Sequence, residues 1–472
     1  MKKIFTREKV RSFLIFQRRD RVPMLIIFTV FIGFFTACKK EFQERQSPAS
    51  LEAHNARLDD DRPNIIVFVA NDFGFELPSY NGGESYYTPN MDFVAANGIH
   101  FTQAYNHPDG SPSRMAILTG KYNFRNYLYW GYLPPGEKTI GNMLKDAGYA
   151  TLWAGKWQLG GGDTTIHNAG FDDYITFLPF GHGQRSRRYK DPKLFVENQF
   201  LPDSLITGKY SEDMLFDYMC SFIDSNKQKP FFAVYASLLP ATPWVPTPDD
   251  PNFASWNHRL DNVLSDFKYF PGMVTYLDKI LGQTIQKLEE EGLDKNTLIL
   301  FTSATQSYQK VQSQWRGQTV NGTKLQTTKF GTNMPIIAYW PGTIAPGIKS
   351  ETLVDFTDFL PTLADAAKIP VPTTYGTIDG VSFYDDMLQQ DGTDRDWVFC
   401  HWDNNPIDNI PLERWVSDTT YKLYDKTGKG KGKFYNISID PTEQNPIKAQ
   451  DMTKEERDRK RYFKTILSQM QK

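Results

Sequence analysis

The stretch Asn64-Ile-Ile-Val-Phe-Val-Ala70 constrains the fold more than any other part of the chain. After Asn64 it is unbroken apolar sequence, rich in β-branched and aromatic residues. An amphipathic strand would place a polar residue at every second position, and an amphipathic helix would do so every three or four. A strand buried on both faces explains the run, and such strands belong to parallel or mixed sheets covered by helices. Strand patterns recur at Ala150–Ala154, Phe231–Tyr235, Leu298–Thr302 and Pro335–Tyr339. Helical patterns fall among them at Asn90–Asn97, Ser113–Thr119 and Ile140–Ala147, the last stopped by Gly148. Strands alternating with helices predict an α/β fold, a large mixed, mostly parallel sheet sandwiched by helices. With 472 residues, 40% of them hydrophobic, the chain is long enough for one such domain and a smaller companion.

Open sheets of this class bind ligands beyond the carboxyl ends of their strands. The candidate site therefore comprises Asn71-Asp72, Lys156-Trp157-Gln158, Pro240-Ala241-Thr242-Pro243 and Ser303-Ala304-Thr305. A further segment, Asp109–Gly120 (DGSPSRMAILTG), is a polar turn running into helix-forming residues and ending at a glycine.

Several segments resemble landmarks of the sulfatase family. DGSPSRMAILTG is similar to the signature C-x-P-S-R-x-x-x-L-T-G, whose cysteine is oxidised to formylglycine and attacks the sulfate ester. RPNIIVFVANDFG resembles the family's opening R-P-N-I-[VL]-x-[IL]-x-A-D-D-x-G, and TPNMDFVAANGIHFTQAY follows it as expected. AGKWQLGG, LPATPWVPTP, LILFTSATQS, YWPG, DFTDFLPTLADAAKIPVP and FYNISIDPTEQNPI resemble later landmarks in the expected order. The similarity runs over about residues 62–450 and implies a sulfatase-like α/β domain at 62–372. It also implies a small C-terminal antiparallel-sheet subdomain at 373–472.

The same resemblance marks what is missing. Gly110 stands at the nucleophile position. The family's divalent cation, usually Ca²⁺, would be held at Asn71, Asp72, Ala304 and Thr305, which supply one carboxylate between them. Ca²⁺ takes about six to eight oxygens and its affinity follows ligand charge, so Asn71 and Asp72 are read as vestigial and no cofactor is expected. Asp72 is equally accounted for as a helix or turn cap. The family's site histidines align with Gln158 and Ala241. Ser111 is the nearest hydroxyl, but an alcohol needs an adjacent base or metal to become a nucleophile. His107, nearby in sequence, is more simply a structural or exposed loop residue. The family's sulfate-contacting cations, in contrast, match Arg114, Lys156 and Lys324; with Gln158 they form the expected anion- or substrate-binding set.

Three functional readings follow. The leading one is a protein that binds a sulfated or anionic glycan and has lost hydrolysis. The others are a hydrolase of sulfate or phosphate esters using Ser111, and an interaction protein whose cleft is unused. A formal net charge of −2 gives no electrostatic reason to expect nucleic acid as a partner.

The ends of the chain carry separate signals. A basic start is followed by Pro23–Ala37, an apolar run of signal-peptide length, and then by Cys38. Phe35-Thr36-Ala37-Cys38 resembles a bacterial lipobox, which implies a signal peptide over 1–38 and a lipidated Cys38 anchoring an exported protein, periplasmic or cell-surface. Residues 39–61 are polar and read as a tether. Near the other end, Asp396–Trp402 is a strand pattern. A hairpin is expected with Trp415–Tyr424 as one arm, a Gly-Lys turn at 428–432 and Phe434–Ile439 as the other. A terminal helix is expected to bury Tyr462, Phe463, Ile466 and Leu467.

Overall fold

The computed structural model describes residues 61–181, 187–403, 412–428 and 430–470. The expected signal segment with Cys38 and the tether up to residue 60 lie outside the described residues, as does Lys429 in the Gly-Lys turn. Among the described residues, no helix is long and apolar enough to cross a membrane.

Ten strands form the main sheet. From edge to edge they are Ile348–Asp355, Ile99–Tyr105, Asn333–Tyr339, Thr297–Ser303, Asn64–Ala70, Phe231–Ala236, Ala150–Lys156, Asp173–Phe177, Phe195–Val196 and Gln199–Phe200. Pairing is parallel from Thr297–Ser303 through Asp173–Phe177. Asn333–Tyr339 and the short Phe195–Val196 run antiparallel to their neighbours, so the sheet is mixed but mostly parallel.

All of Asn64–Ala70 is buried, as its lack of alternation requires. Successive side chains of a strand face opposite ways. Ile65, Val67 and Val69 join a core with Ile117, Leu118 and Leu144, under the helices Gly110–Thr119, Ile140–Asp146 and Phe359–Ala366. Ile66 and Phe68, also buried, face the other layer, where Phe270–Glu290 packs against Pro89–Ala96 and Ser211–Asn226.

The C-terminal region carries a four-stranded antiparallel sheet ordered Val398–Trp402, Glu413–Ser417, Tyr421–Tyr424 and Phe434–Asn436. The expected single arm Trp415–Tyr424 is thus two strands. Asp418 breaks it, its Oδ1 accepting the N–H groups of Thr420 and Tyr421 at 2.7 and 2.5 Å, an Asx-type turn that the apolar pattern had hidden. Lys454–Gln469 is the terminal helix, capped by Thr453 and Glu456. It buries Phe463, Ile466 and Leu467, while Tyr462 stays exposed at the edge of that stripe.

Candidate active-site cleft

The site begins with register. Asn64–Ala70 and Thr297–Ser303 pair in parallel over their full length, so Ala70 lies opposite Ser303 and both chains leave the sheet together. Ala304 N donates to Ala70 O at 2.9 Å and Phe73 N to Thr305 O at 3.1 Å, which sets Asp72 beside Thr305. Asp72 adopts φ 65°, so the chain turns sharply here and its side chain folds back on its neighbour. Its N–H donates to Thr305 Oγ1 at 3.0 Å, and that hydroxyl donates to Asp72 Oδ1 at 2.7 Å. Asp72 therefore caps no helix; it is held within the cleft.

Lys156 arrives from the end of Ala150–Lys156. Gly155 precedes it at φ 112°, and a Cβ there would lie 1.9 Å from Ala236 O. Only glycine permits that close approach, which delivers the lysine to the strand end. Lys156 Nζ donates to Asn71 Oδ1 at 3.1 Å. Lys324 reaches in from the other side, its Nζ 2.6 Å from Asp72 Oδ1. Arg114 rises from the first turns of Gly110–Thr119, donating from Nε to Trp157 O at 3.1 Å and from Nη2 to Gln158 Oε1 at 2.9 Å. Gln158, at φ 55°, thus serves to orient Arg114.

Gly110 lies at the centre of this set. A Cβ built on it would be 3.0 Å from Arg114 Nη1, 3.5 Å from Thr305 Cγ2 and 3.7 Å from the Ala304 methyl. The position aligned with the family nucleophile therefore faces both the arginine and the positions aligned with metal ligands.

The electrostatics follow from burial and crowding. Burial lowers the Arg114 pKa to about 10, which leaves it charged at neutral pH. Burial, then Arg114, Arg188 and Lys324, pull Lys156 well below the ordinary lysine value, with Asp72 opposing them. For Asp72 burial pushes upward, yet Lys324 and Lys156 outweigh it and hold the carboxyl below its usual range. Arg188, which the sequence reading missed, is thus a fourth cation of the cleft. It is buried, donates from Nη1 to Thr242 O, and lies over the rings of Phe177 and Tyr189. The Arg-rich segment Arg185–Arg188 was the available signal. The expected Arg114, Lys156 and Lys324 do converge. Lys324 is matched by a carboxylate, whereas Arg114 and Lys156 bond neutral oxygens.

The residues do not suit the Ca²⁺ that the family resemblance implies. The one carboxylate, Asp72, is bound to an ammonium; Asn71 is bound to another; Ala304 has no side-chain oxygen. Two tethered lysines occupy the oxygens a metal would need, and a divalent cation beside them would be repelled. Among the described residues no cluster of three or more His, Cys, Asp or Glu is arranged to hold a metal.

Ser111 is fully buried. Its Oγ accepts the Gly131 N–H at 2.9 Å, and the Tyr127 phenol lies nearby. Burial and Asp109 raise the Tyr127 pKa, so this phenol is no base near neutrality. His107 is buried with neither ring nitrogen hydrogen-bonded, and burial together with His401 lowers its pKa to about 3.

The sulfatase profile matches residues 63–369, and the profile for the C-terminal part of N-sulphoglucosamine sulphohydrolase matches 328–471. The chain belongs to the sulfatase family. It is 29% identical to an arylsulfatase of Hemicentrotus pulcherrimus over 73% of this chain and 65% of that one, just under two thirds of the relative's length. It is 25% identical to an N-acetylgalactosamine-6-O-sulfatase of Bacteroides thetaiotaomicron, over 89% of this chain and 94% of that one. A solved structure in complex with its substrate, D-glucosamine-2-N,6-O-disulfate, superimposes with a TM-score of 0.67 at 22% identity, covering 86% of this chain and 97% of the other.

Proposed function

We propose that the cleft binds a sulfated or otherwise anionic glycan without hydrolysing it, on an exported protein anchored through lipidated Cys38. The observation that carries this reading is the fate of Asn71 and Asp72. Each aligns with a metal ligand of the family, and each is held by a lysine ammonium, at 3.1 and 2.6 Å. With Gly110 lacking a side chain and Ala304 lacking an oxygen, the residue set offers neither the attacking group nor a free set of carboxylates for the metal that would activate it. Arg114, Lys156 and Arg188 remain as buried cations, and an anionic oxygen beside them would relieve their mutual repulsion. Glycan as the ligand class is supported by the sugar sulfate held in the related structure. Titration calorimetry with a sulfated oligosaccharide, with and without EDTA, tests the reading. Saturable binding unaffected by EDTA and weakened by Arg114→Ala supports it; absence of binding refutes it.

A further inference from the structure

Two loops border the cleft. Tyr127–Leu133 lies over the start of the helix Gly110–Thr119: Trp130 Nε1 donates to Asp109 Oδ2 at 2.6 Å, Gly131 N to Ser111 Oγ at 2.9 Å, and Leu133 N to Leu159 O at 2.9 Å. Leu178–Gly181 abuts it backbone to backbone, so that a Cβ on Gly181 would meet Gly131 O at 2.7 Å. Gln158 N donates to Leu178 O at 3.1 Å, tying this second loop to the residue that orients Arg114. Both loops are therefore fixed to the cationic pocket.

These fixed loops present aromatic rings to solvent. Tyr129 and Tyr132 stack with centroids 4.5 Å apart and planes at 16°, which leaves Tyr129 43% exposed. On the second loop Phe180 is 54% exposed and packs edge-on to Phe195. Single exposed aromatics need no explanation, but here they sit on two adjoining loops, each hydrogen-bonded to segments of one charged pocket. With side chains of roughly 150–250 Å² each and about half of that exposed, the surface is far below the ~1,000 Å² of a stable protein interface. It matches a ligand a few rings long. A pyranose has an apolar C–H face of one ring's area and hydroxyls around its edge, which suits a flat ring bordered by a polar cleft.

We propose that Tyr129, with Phe180 on the adjoining loop, is a saccharide-stacking platform. It receives the pyranose next to the one whose anionic group enters the Arg114–Lys156 pocket. This rests on the glycan-binding reading and adds that the ligand is an oligosaccharide rather than a monosaccharide sulfate.

Calorimetry on the full chain with N-acetylglucosamine 6-sulfate and with a chondroitin sulfate tetrasaccharide tests it, using wild type, Tyr129→Ala, Tyr129→Phe and Phe180→Ala. Tyr129→Ala and Phe180→Ala are expected to weaken tetrasaccharide binding about 5- to 20-fold and monosaccharide binding less than about twofold, with Tyr129→Phe close to wild type. Equal tetrasaccharide affinity in all four proteins overturns the platform, as does an equal loss for both ligands, which would mean that the loop merely supports the pocket. A wild-type dimer in sedimentation that Tyr129→Ala dissociates also overturns it. If wild type binds the monosaccharide sulfate and gains nothing from the longer chain, the platform alone fails. If it binds neither, the glycan reading fails with it.

Discussion

Replacing Asp72 with Asn removes the carboxylate hydrogen-bonded to Lys324 while keeping its shape. Two opposite effects are expected. An anion contacting Lys324 Nζ, itself 2.6 Å from Asp72 Oδ1, would sit roughly 5 Å from the carboxylate, where two like charges repel by about 3 kcal/mol at an effective dielectric near 20. Relaxation and partial solvation of Lys324 halve that, so Asp72→Asn should tighten a sulfate monoester by roughly 1.5 kcal/mol, about tenfold. Without ligand the variant should be less stable by about 2–4 kcal/mol, because Lys324 and Lys156 lose the charge that faces them. The pH dependence fixes the cause. Asp72 has a folded-state pKa below its unfolded value, so its contribution is present above the unfolded pKa near 3.8 and disappears as pH falls through the depressed one. The stability gap between wild type and variant should therefore close in acid. Ligand should restore the variant's melting temperature by mass action. Calorimetric titration and thermal melts with and without the sulfated ligand read both effects. Weaker binding in Asp72→Asn would refute the reasoning, because it would give the carboxylate a role in holding a metal or the ligand.

Gly110→Ser places an oxygen in front of Arg114 Nη1, so anion affinity should fall about tenfold while sulfate release stays at background; measured turnover would show that the nucleophile was the only missing part. Lys156 is depressed by burial and by neighbouring cations, and a bound anion raises its pKa again, so at those pH values below 10.5 where the unliganded ammonium loses its proton, binding should take up a proton and weaken as pH rises. Calorimetry in buffers of different ionisation enthalpy measures that proton, and a pH-independent affinity would contradict it. Lys422 Nζ holds Glu443 Oε1 at 2.9 Å and donates to Thr327 O, while Tyr424 OH donates to Glu443 Oε2 at 2.5 Å, so the small C-terminal sheet clamps the segment that carries Lys324. Lys422→Met should cost about 3–5 kcal/mol in denaturant unfolding and loosen anion binding, with Lys422→Met/Glu443→Leu less damaged than the single variant.

The sheet was legible where strands are buried on both faces, because such strands carry unbroken apolar sequence, as in Asn64–Ala70 and Phe231–Ala236. Ile348–Asp355 at one edge and Ile99–Tyr105 beside it mix polar and apolar residues and carry no strand pattern of their own; they take their place from pairing with each other and, for Ile99–Tyr105, with Asn333–Tyr339. In the cleft, motif order located Asn71, Asp72, Gly110, Arg114, Lys156 and Lys324 together. What it left open was the pairing among them. Whether Lys324 faces Asp72 or solvent depends on a loop held by Thr327 and the C-terminal sheet, a long-range contact with no local signature. Arg188 stands in an Arg-rich segment, but its place beside Lys156 is set by the tertiary fold.

The most direct test measures binding and chemistry on one sample: purified wild-type protein with a sulfated tetrasaccharide at saturation, in Ca²⁺ and in EDTA, with released sulfate counted by ion chromatography. Saturable binding that is the same in both buffers, with sulfate release no faster than in protein-free buffer, is the predicted result. Release at about 1 s⁻¹ or faster, an ordinary enzymatic rate, or binding that vanishes in EDTA would contradict it.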